Sequence, residues 1–281
     1  MERIQTLSEM RRWVEGERRG GKRIGFVPSM GKLHEGHASL MRRARTECDA
    51  VVASIFVNPT QFSPEEDYQS YPRDPEGDGR LAEKSGVDAL FCPDAGELYP
   101  AGFRVKVSVP GLEDKLCGRY RPHHFSGVAV IVLKLFNIVA PDRAYFGDKD
   151  YQQLLIIKRL VKDLDLRVEV IGCPTVRAGD GVALSSRNEY LTPEERVSAP
   201  VLFQSLLLAQ SLADQGETRS SVLKERMRDL ISQRPHTKVQ YISICHPETL
   251  EELEEVGELA LAALAVWVGK ARLIDHRLLS R

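Results

Sequence analysis

The feature that most constrains this chain is an alternation of short β-branched runs with helical patterns through its first 175 or so residues. The clearest run is AVVASIFV at positions 50–57, almost uninterrupted in its apolar character. Such a run predicts a strand buried on both faces, as in a parallel sheet covered by helices on each side. Residues 23–28 (RIGFVP) predict a second strand, followed by a glycine-containing turn. Leu40, Ala44 and Cys48 then recur at four-residue spacing and predict a helix over 37–48. The pattern continues with helix 78–85, strand 87–91, helix 127–139, strand 143–146, helix 151–164 and strand 167–171. Repeated strand–helix–strand units predict an α/β fold with right-handed crossovers between parallel strands.

The pattern changes after about residue 174. Thr192 and Pro193 form a helix start, a capping hydroxyl followed by proline at the first helical position. Helices are expected over 194–214 and 218–233, then a strand over 239–244. Leu250, Leu253 and Val256, separated by acidic residues, predict a short helix within 247–256 with a solvated acidic face. Two β runs around Gly269-Lys270 predict a hairpin. A length of 281 residues suits two domains, and the boundary predicted here separates residues 1–175 from an α+β domain at 176–281.

Composition narrows the class of partner. With 39 Lys+Arg against 40 Asp+Glu, the formal net charge is −1. That argues against nucleic acid as the main partner, because binding a long polyanion needs a net basic surface. A local positive pocket for a small anion stays open. The five cysteines are far apart without a C-x-x-C pair, which fits neither a disulfide framework nor a zinc site. The longest apolar run, residues 259–268, is too short to span a bilayer. No signal-peptide core follows the first five residues. A cytoplasmic protein with no membrane partner is expected.

Five stretches carry candidate chemistry. Residues 28–37 (PSMGKLHEGH) lie between the first predicted strand and its helix, where helix N–H groups attract anions. His34 and His37 share a face if the helix has begun. They read foremost as phosphate contacts, with a structural role and a metal pair as alternatives. Residues 144–153 (AYFGDKDYQQ) repeat the strand–glycine–helix arrangement. There Lys149 suits a phosphate, and Asp150 serves either as a helix cap or as a ribose contact. Residues 183–188 (ALSSRN) offer hydroxyls and a guanidinium, with a solvated turn as the plainer reading. Residues 56–62 (FVNPTQF) offer amides suited to a hydroxy- or carboxylate-bearing molecule, or form a surface turn. The adjacent histidines of 121–125 (RPHHF) are either one more anion contact or solvent-exposed.

Taken together, H-x-G-H after the first strand and a later Ser/Arg loop resemble the H-I-G-H and K-M-S-K-S pair of the nucleotidylyltransferase superfamily. PSMGKLHEGH, FVNPTQF, YPRD, RPHHFSGV, KLFNIVAPDRAYFGDKDYQQ, PTVRAGDGVALSSRNEYL and ARLID, in that order, resemble the pantoate–β-alanine ligase family from about residue 22 onward. The chain departs from the usual family pattern at Ser29, Lys32, His123, Asp148 and Leu184.

The resemblance implies a Rossmann-like body at 1–175 that binds ATP and pantoate, and a C-terminal lid at 176–281. It implies ATP-dependent condensation of (R)-pantoate with β-alanine to pantothenate, AMP and pyrophosphate, through a pantoyl adenylate. His37 takes the proton-donor role, His34 contacts phosphate, and Lys149 neutralises charge developing in the first step. The ATP site is implied to comprise Met30, Gly31, Lys32, Leu33, His34, Glu35, Gly36 and His37, then Gly147, Asp148, Lys149 and Asp150. Val176, Leu184, Ser185, Ser186 and Arg187 complete it. Gln61 and Gln153 grip pantoate, with Asn58 beside them, and Gln61 also meets β-alanine. Mg²⁺ accompanies ATP, with Asp78 the candidate protein contact, since Mg²⁺ takes few carboxylates. A homodimer is implied. The alternatives are another nucleotidylyltransferase, releasing a dinucleotide-like product, and a non-catalytic nucleotide sensor.

Overall fold

The computed structural model describes residues 1–63 and 68–280. The chain divides into two compact units. The first comprises residues 1–113, 121–148 and 153–174, and the second residues 114–120, 149–152 and everything from Thr175. No helix among the described residues is long and apolar enough to cross a membrane.

The first unit is built on six parallel strands: β1 (Glu2–Ile4), β2 (Ile24–Ser29), β3 (Ala50–Ile55), β4 (Ala89–Phe91), β5 (Arg143–Gly147) and β6 (Glu169–Cys173). Their order across the sheet is β1-β4-β3-β2-β5-β6. The connecting helices are α1 (Leu7–Arg19), α2 (Glu35–Glu47), α3 (Pro75–Lys84), the one-turn α4 (Ala95–Leu98), α5 (His124–Val139) and α6 (Tyr151–Asp163). The central strands β2 and β3 are buried on both faces. Phe26 and Val52 point into one core, with residues of α1, α5 and α6. Val27, Val51 and Ala53 point into the other, with residues of α2 and α3. The α/β expectation therefore holds, and its cause is visible: alternate side chains of one apolar strand fill two separate cores.

The chain leaves β2 for β3 on one side and later returns to β5 on the other side. The strand order thus reverses at β2–β5, and ligands bind outside the carboxyl ends of strands at such a switch point. Residues 30–34 follow β2 at that place, and Asp148 follows β5 there. β1 and α1 were not read from the sequence. Thr6 caps α1 in a reciprocal box with Glu9, a spacing that was legible.

The second unit stacks α7 (Pro193–Ser198), α8 (Val201–Asp214) and α9 (Ser220–Ser232) against an antiparallel sheet of β7 (Thr237–Cys245), β8 (Leu259–Val268) and β9 (Ala271–Ser280). The Gly269-Lys270 hairpin forms as expected, pairing Val268 with Ala271. Two expectations fail. The single helix over 194–214 is broken between α7 and α8, because Pro200 has no N–H to give and instead occupies the cap position of α8. The helix within 247–256 does not form. Leu250 adopts a left-handed backbone (φ 58°), His246 Nδ1 accepts the N–H groups of Glu248 and Thr249, and Glu252 and Glu255 make isolated bridges to Cys245 and Arg219. Burial of Leu250 and Val256 accounts for the apolar spacing that suggested a helix.

Candidate active site

In the first unit the site begins where β2 ends. His34 caps α2: its Nδ1 accepts the Gly36 N–H at 3.1 Å. His37 Nδ1 accepts the His34 N–H at 3.2 Å, closing a capping box made of two imidazoles. The ring centroids lie 4.2 Å apart. This fixes the chemistry of both rings. A nitrogen that accepts a backbone N–H carries no proton, so in each neutral ring the proton sits on Nε2. The helix therefore starts with two Nε2–H donors added to its own N-terminal field, an arrangement suited to phosphate.

The turn before the helix is held from below. Asp78, on α3 and 3% exposed, accepts the Lys32 N–H at 2.9 Å through Oδ2 and the Leu33 N–H at 2.6 Å through Oδ1. Burial raises its pKa against the lowering effect of these bonds. The resemblance implied Asp78 as a Mg²⁺ contact; in the structure each of its oxygens accepts an N–H of the loop backbone. Gly31 (φ 87°) and Lys32 (φ 50°) are both left-handed, and the tight turn depends on them. Of the residues expected to meet ATP here, Glu35 is exposed and ion-paired with Arg42.

Beyond β3, Asn58 caps a 3₁₀ turn at Pro59–Gln61. Its amide is fully engaged within the protein. Nδ2 donates to the Gly127 carbonyl at 3.1 Å and to Gln61 Oε1 at 3.2 Å. Oδ1 accepts from the Thr60 hydroxyl at 2.9 Å and the Tyr99 hydroxyl at 2.8 Å. Asn58 is only 1% exposed, and its amide holds the Gln61 side chain. Gln61 Nε2 in turn reaches Met30 Sδ at 2.9 Å, which joins the 59–61 turn to the histidine loop. Tyr99 and Gly127 escaped the sequence reading. The one signal for Gly127 was a glycine in an otherwise apolar helix.

Of the two adjacent histidines, only His124 departs from the solvent-exposed reading. His123 is exposed, with φ 68° at the cap of α5. His124 is buried, its Nδ1 2.8 Å from the Gln61 carbonyl oxygen. After β5, Asp148 lies against Gly172 of β6, and burial raises its carboxyl pKa. Gln153 is half-buried on α6.

The second unit holds the other predicted residues. Lys149 Nζ lies 3.6 Å from Asp150 Oδ1. The Tyr151 ring packs 5.0 Å from His276 on β9. The buried Gln152 accepts the Cys117 N–H and donates to the Lys115 carbonyl, which ties residues 115–117 to the start of α6. Val176 and Leu184 face each other at the open end of a small hairpin, where the Leu184 N–H meets the Val176 carbonyl at 3.0 Å. That hairpin is pinned to β9 by a bidentate Arg177–Asp275 pair at 2.6 and 2.8 Å. Ser185 caps the 3₁₀ turn Ser186–Tyr190 by accepting the Arg187 N–H, so the Ser/Arg loop is an ordered, half-buried turn.

No group of three or more His, Cys, Asp or Glu side chains able to hold a metal occurs among the described residues.

Comparison with known proteins bears on the family of the chain. A pantothenate synthetase of Moorella thermoacetica is 53% identical over 276 residues, covering 98% of each chain. The crystal structure of pantothenate synthetase from Thermus thermophilus is 47% identical, with a TM-score of 0.94 and 99% of each chain covered. The structure of a pantoate-beta-alanine ligase from Francisella tularensis, complexed with beta-gamma ATP and beta-alanine, is 35% identical. Its TM-score is 0.83, with 99% of this chain and 97% of that one covered. The profile of the family described as pantoate-beta-alanine ligase matches residues 2–278, and the chain belongs to that family.

Proposed function

We infer that this chain joins (R)-pantoate to β-alanine at the expense of ATP, giving pantothenate, AMP and pyrophosphate by way of a pantoyl adenylate. The observation that carries the mechanism is the two-histidine capping box at the start of α2. It presents Nε2–H donors at the carboxyl end of β2, beside the switch point, where a nucleotide phosphate is expected.

In the first step the pantoate carboxylate attacks the α-phosphorus and pyrophosphate leaves. His34 and His37 donate hydrogen bonds to phosphate oxygens, and the Lys149 ammonium offsets the negative charge that develops. Residues 30–37, Gly147, Asp148, Asp150, Val176 and Leu184–Arg187 are assigned to ATP. Gln61 and Gln153 are assigned to pantoate, with Gln61 also meeting β-alanine and Asn58 holding Gln61 in place. In the second step the β-alanine amine attacks the acyl carbon and AMP leaves. No protein nucleophile is required, so catalysis consists of positioning and charge stabilisation. Mg²⁺ enters on the phosphates of ATP, and no step is routed through a protein-bound ion. Residues 1–175 and 176–281 are read as the substrate-binding body and the lid. The enzyme is read as a cytoplasmic homodimer, which light scattering on the purified chain would test.

The decisive assay follows pyrophosphate release from ATP. Release with pantoate alone, stimulated by β-alanine with formation of an amide product, is the expected result. Release accompanied by a stable dinucleotide-like product would mark a different nucleotidylyltransferase, and no release a nucleotide sensor.

A further inference from the structure

The segment 121–125 has no part in the function as proposed, yet it places a buried histidine against the residue assigned to pantoate. The geometry points to His124 as a positioning residue that sets the orientation of Gln61 through its main chain, with Arg121 fixing the state of the imidazole. This inference rests on the reading of Gln61 as a pantoate contact.

His124 is the first residue of α5 and 8% exposed. Its two ring nitrogens meet partners of opposite kind. Nδ1 lies 2.8 Å from the Gln61 carbonyl oxygen, which can only accept, so Nδ1 carries the proton. Nε2 lies 3.0 Å from an Arg121 guanidinium nitrogen, which can only donate, so Nε2 is the acceptor. Both ends select the same neutral tautomer, the reverse of the one selected at His34 and His37. A second proton on Nε2 would face the guanidinium N–H directly. The relay therefore runs from Arg121 through His124 to the Gln61 carbonyl.

What it controls is the end of the 59–61 turn. The Gln61 N–H makes only a long bond of 3.4 Å to the Asn58 carbonyl, so the turn does not hold this peptide tightly by itself. Asn58 supports the Gln61 side chain and His124 supports its main chain. Gly127, three residues on and on the same face of α5, lets the helix approach. A Cβ there would meet the Thr60 carbonyl oxygen at 2.4 Å and the Gln61 nitrogen at 2.7 Å. With both supports in place, the Gln61 side chain leaves the turn in one direction.

The test separates the two ring nitrogens. In His124→Asn the side-chain N–H can occupy the Nδ1 position and still donate to the Gln61 carbonyl. In His124→Gln the amide reaches the Nε2 position instead. Steady-state kinetics should show His124→Gln raising the KM for pantoate about tenfold, the worth of one hydrogen bond. Its KM for ATP should change less than twofold, and His124→Asn should recover most of the loss. Equal effects of both variants, no effect of either, or equal losses toward pantoate and ATP would overturn the proposal. Gln61→Ala is measured alongside. If it impairs pantoate use and His124→Gln does not, the relay alone is refuted. If Gln61→Ala leaves pantoate use intact, the reading of Gln61 falls and the relay with it. Should His124→Gln fail to fold, ¹⁵N shifts of the histidine rings in the unmodified enzyme decide. An Nδ1-protonated neutral ring at His124 supports the proposal, and an Nε2-protonated ring refutes it.

Discussion

Replacing Asp78 by alanine removes the support under the histidine loop, and the structure permits an estimate of the consequence. Two backbone N–H groups, those of Lys32 and Leu33, lose their acceptor at 2.9 and 2.6 Å. An orphaned buried donor costs roughly 1–3 kcal/mol, so the gross loss is about 2–6 kcal/mol. Two effects reduce it. Lys32 and Leu33 are half-buried, so water can serve the vacated N–H groups. Burial also raises the Asp78 pKa, which means the carboxylate bears a desolvation cost that alanine relieves. A net loss of about 2 kcal/mol in the first unit follows. Because residues 30–37 would shift relative to bound nucleotide, the KM for ATP should rise about tenfold. Urea unfolding followed by a first-unit probe, together with ATP kinetics, provides the assay. A Mg²⁺ titration of Asp78→Asn separates support from metal ligation: a lost ligand is compensated by excess Mg²⁺, a lost support is not. A wild-type unfolding midpoint in Asp78→Ala, combined with recovery of Asp78→Asn at high Mg²⁺, would refute the reasoning.

Lys149→Ala and His37→Ala should each lower kcat by about 10²–10³, the scale of losing one preorganised donor, and near-normal turnover in stopped-flow or steady-state assays would remove either residue from its role. Gly127→Ala, ordinarily a helix-stabilising change of about 1 kcal/mol, should instead destabilise the first unit by at least that amount. Its Cβ would lie 2.4 Å from a main-chain oxygen, and a raised midpoint in denaturant would contradict this. Lys32→Gly should raise stability by about 0.5–1 kcal/mol, since a left-handed lysine (φ 50°) bears strain that glycine does not; an unchanged or lowered midpoint would count against it. His276 is held below its ordinary pKa of 6.5, chiefly by burial, with Arg177 and Lys149 lowering it further and Asp275 and Asp150 opposing. As pH falls, the unfolded chain therefore protonates first. The stability conferred by the neutral ring is complete above about pH 6.5 and declines as pH drops from there toward the folded-state value. His276→Asn should flatten that decline in thermal melts of the full-length chain, and an unaltered pH profile would exclude the effect.

How far the site was legible depended on the distance over which each signal acts. His34 and His37 were readable as a pair because three-residue spacing at a helix start is a local matter, settled within one turn. That they hold each other in a capping box, with both Nδ1 atoms accepting, required the actual direction of the chain leaving β2. Asp78 was named only through the family resemblance, as a Mg²⁺ contact, and its hydrogen-bond partners proved to be 45 and 46 residues away. Its role was invisible until the α3 side chain and the β2 loop were seen together. Asn58 and Gln61 were found by residue type, whereas their division of labour came from Gly127 and Tyr99 on two other elements.

The same contrast runs through the fold. The sequence by itself determined the α/β class, most strand positions and the Gly269-Lys270 hairpin, because side-chain periodicity and turn chemistry act over a few residues. It misjudged 194–214, where one proline outweighed a continuous apolar pattern, and 247–256, where burial of Leu250 and Val256 imitated helical spacing. Only the tertiary structure decided the strand order, and with it the switch point between β2 and β5, since pairing among parallel strands depends on contacts across scores of residues. It also decided the tautomers of three histidines. An imidazole takes its proton position from whatever faces each nitrogen, and at His124 those neighbours, Gln61 and Arg121, come from different parts of the chain.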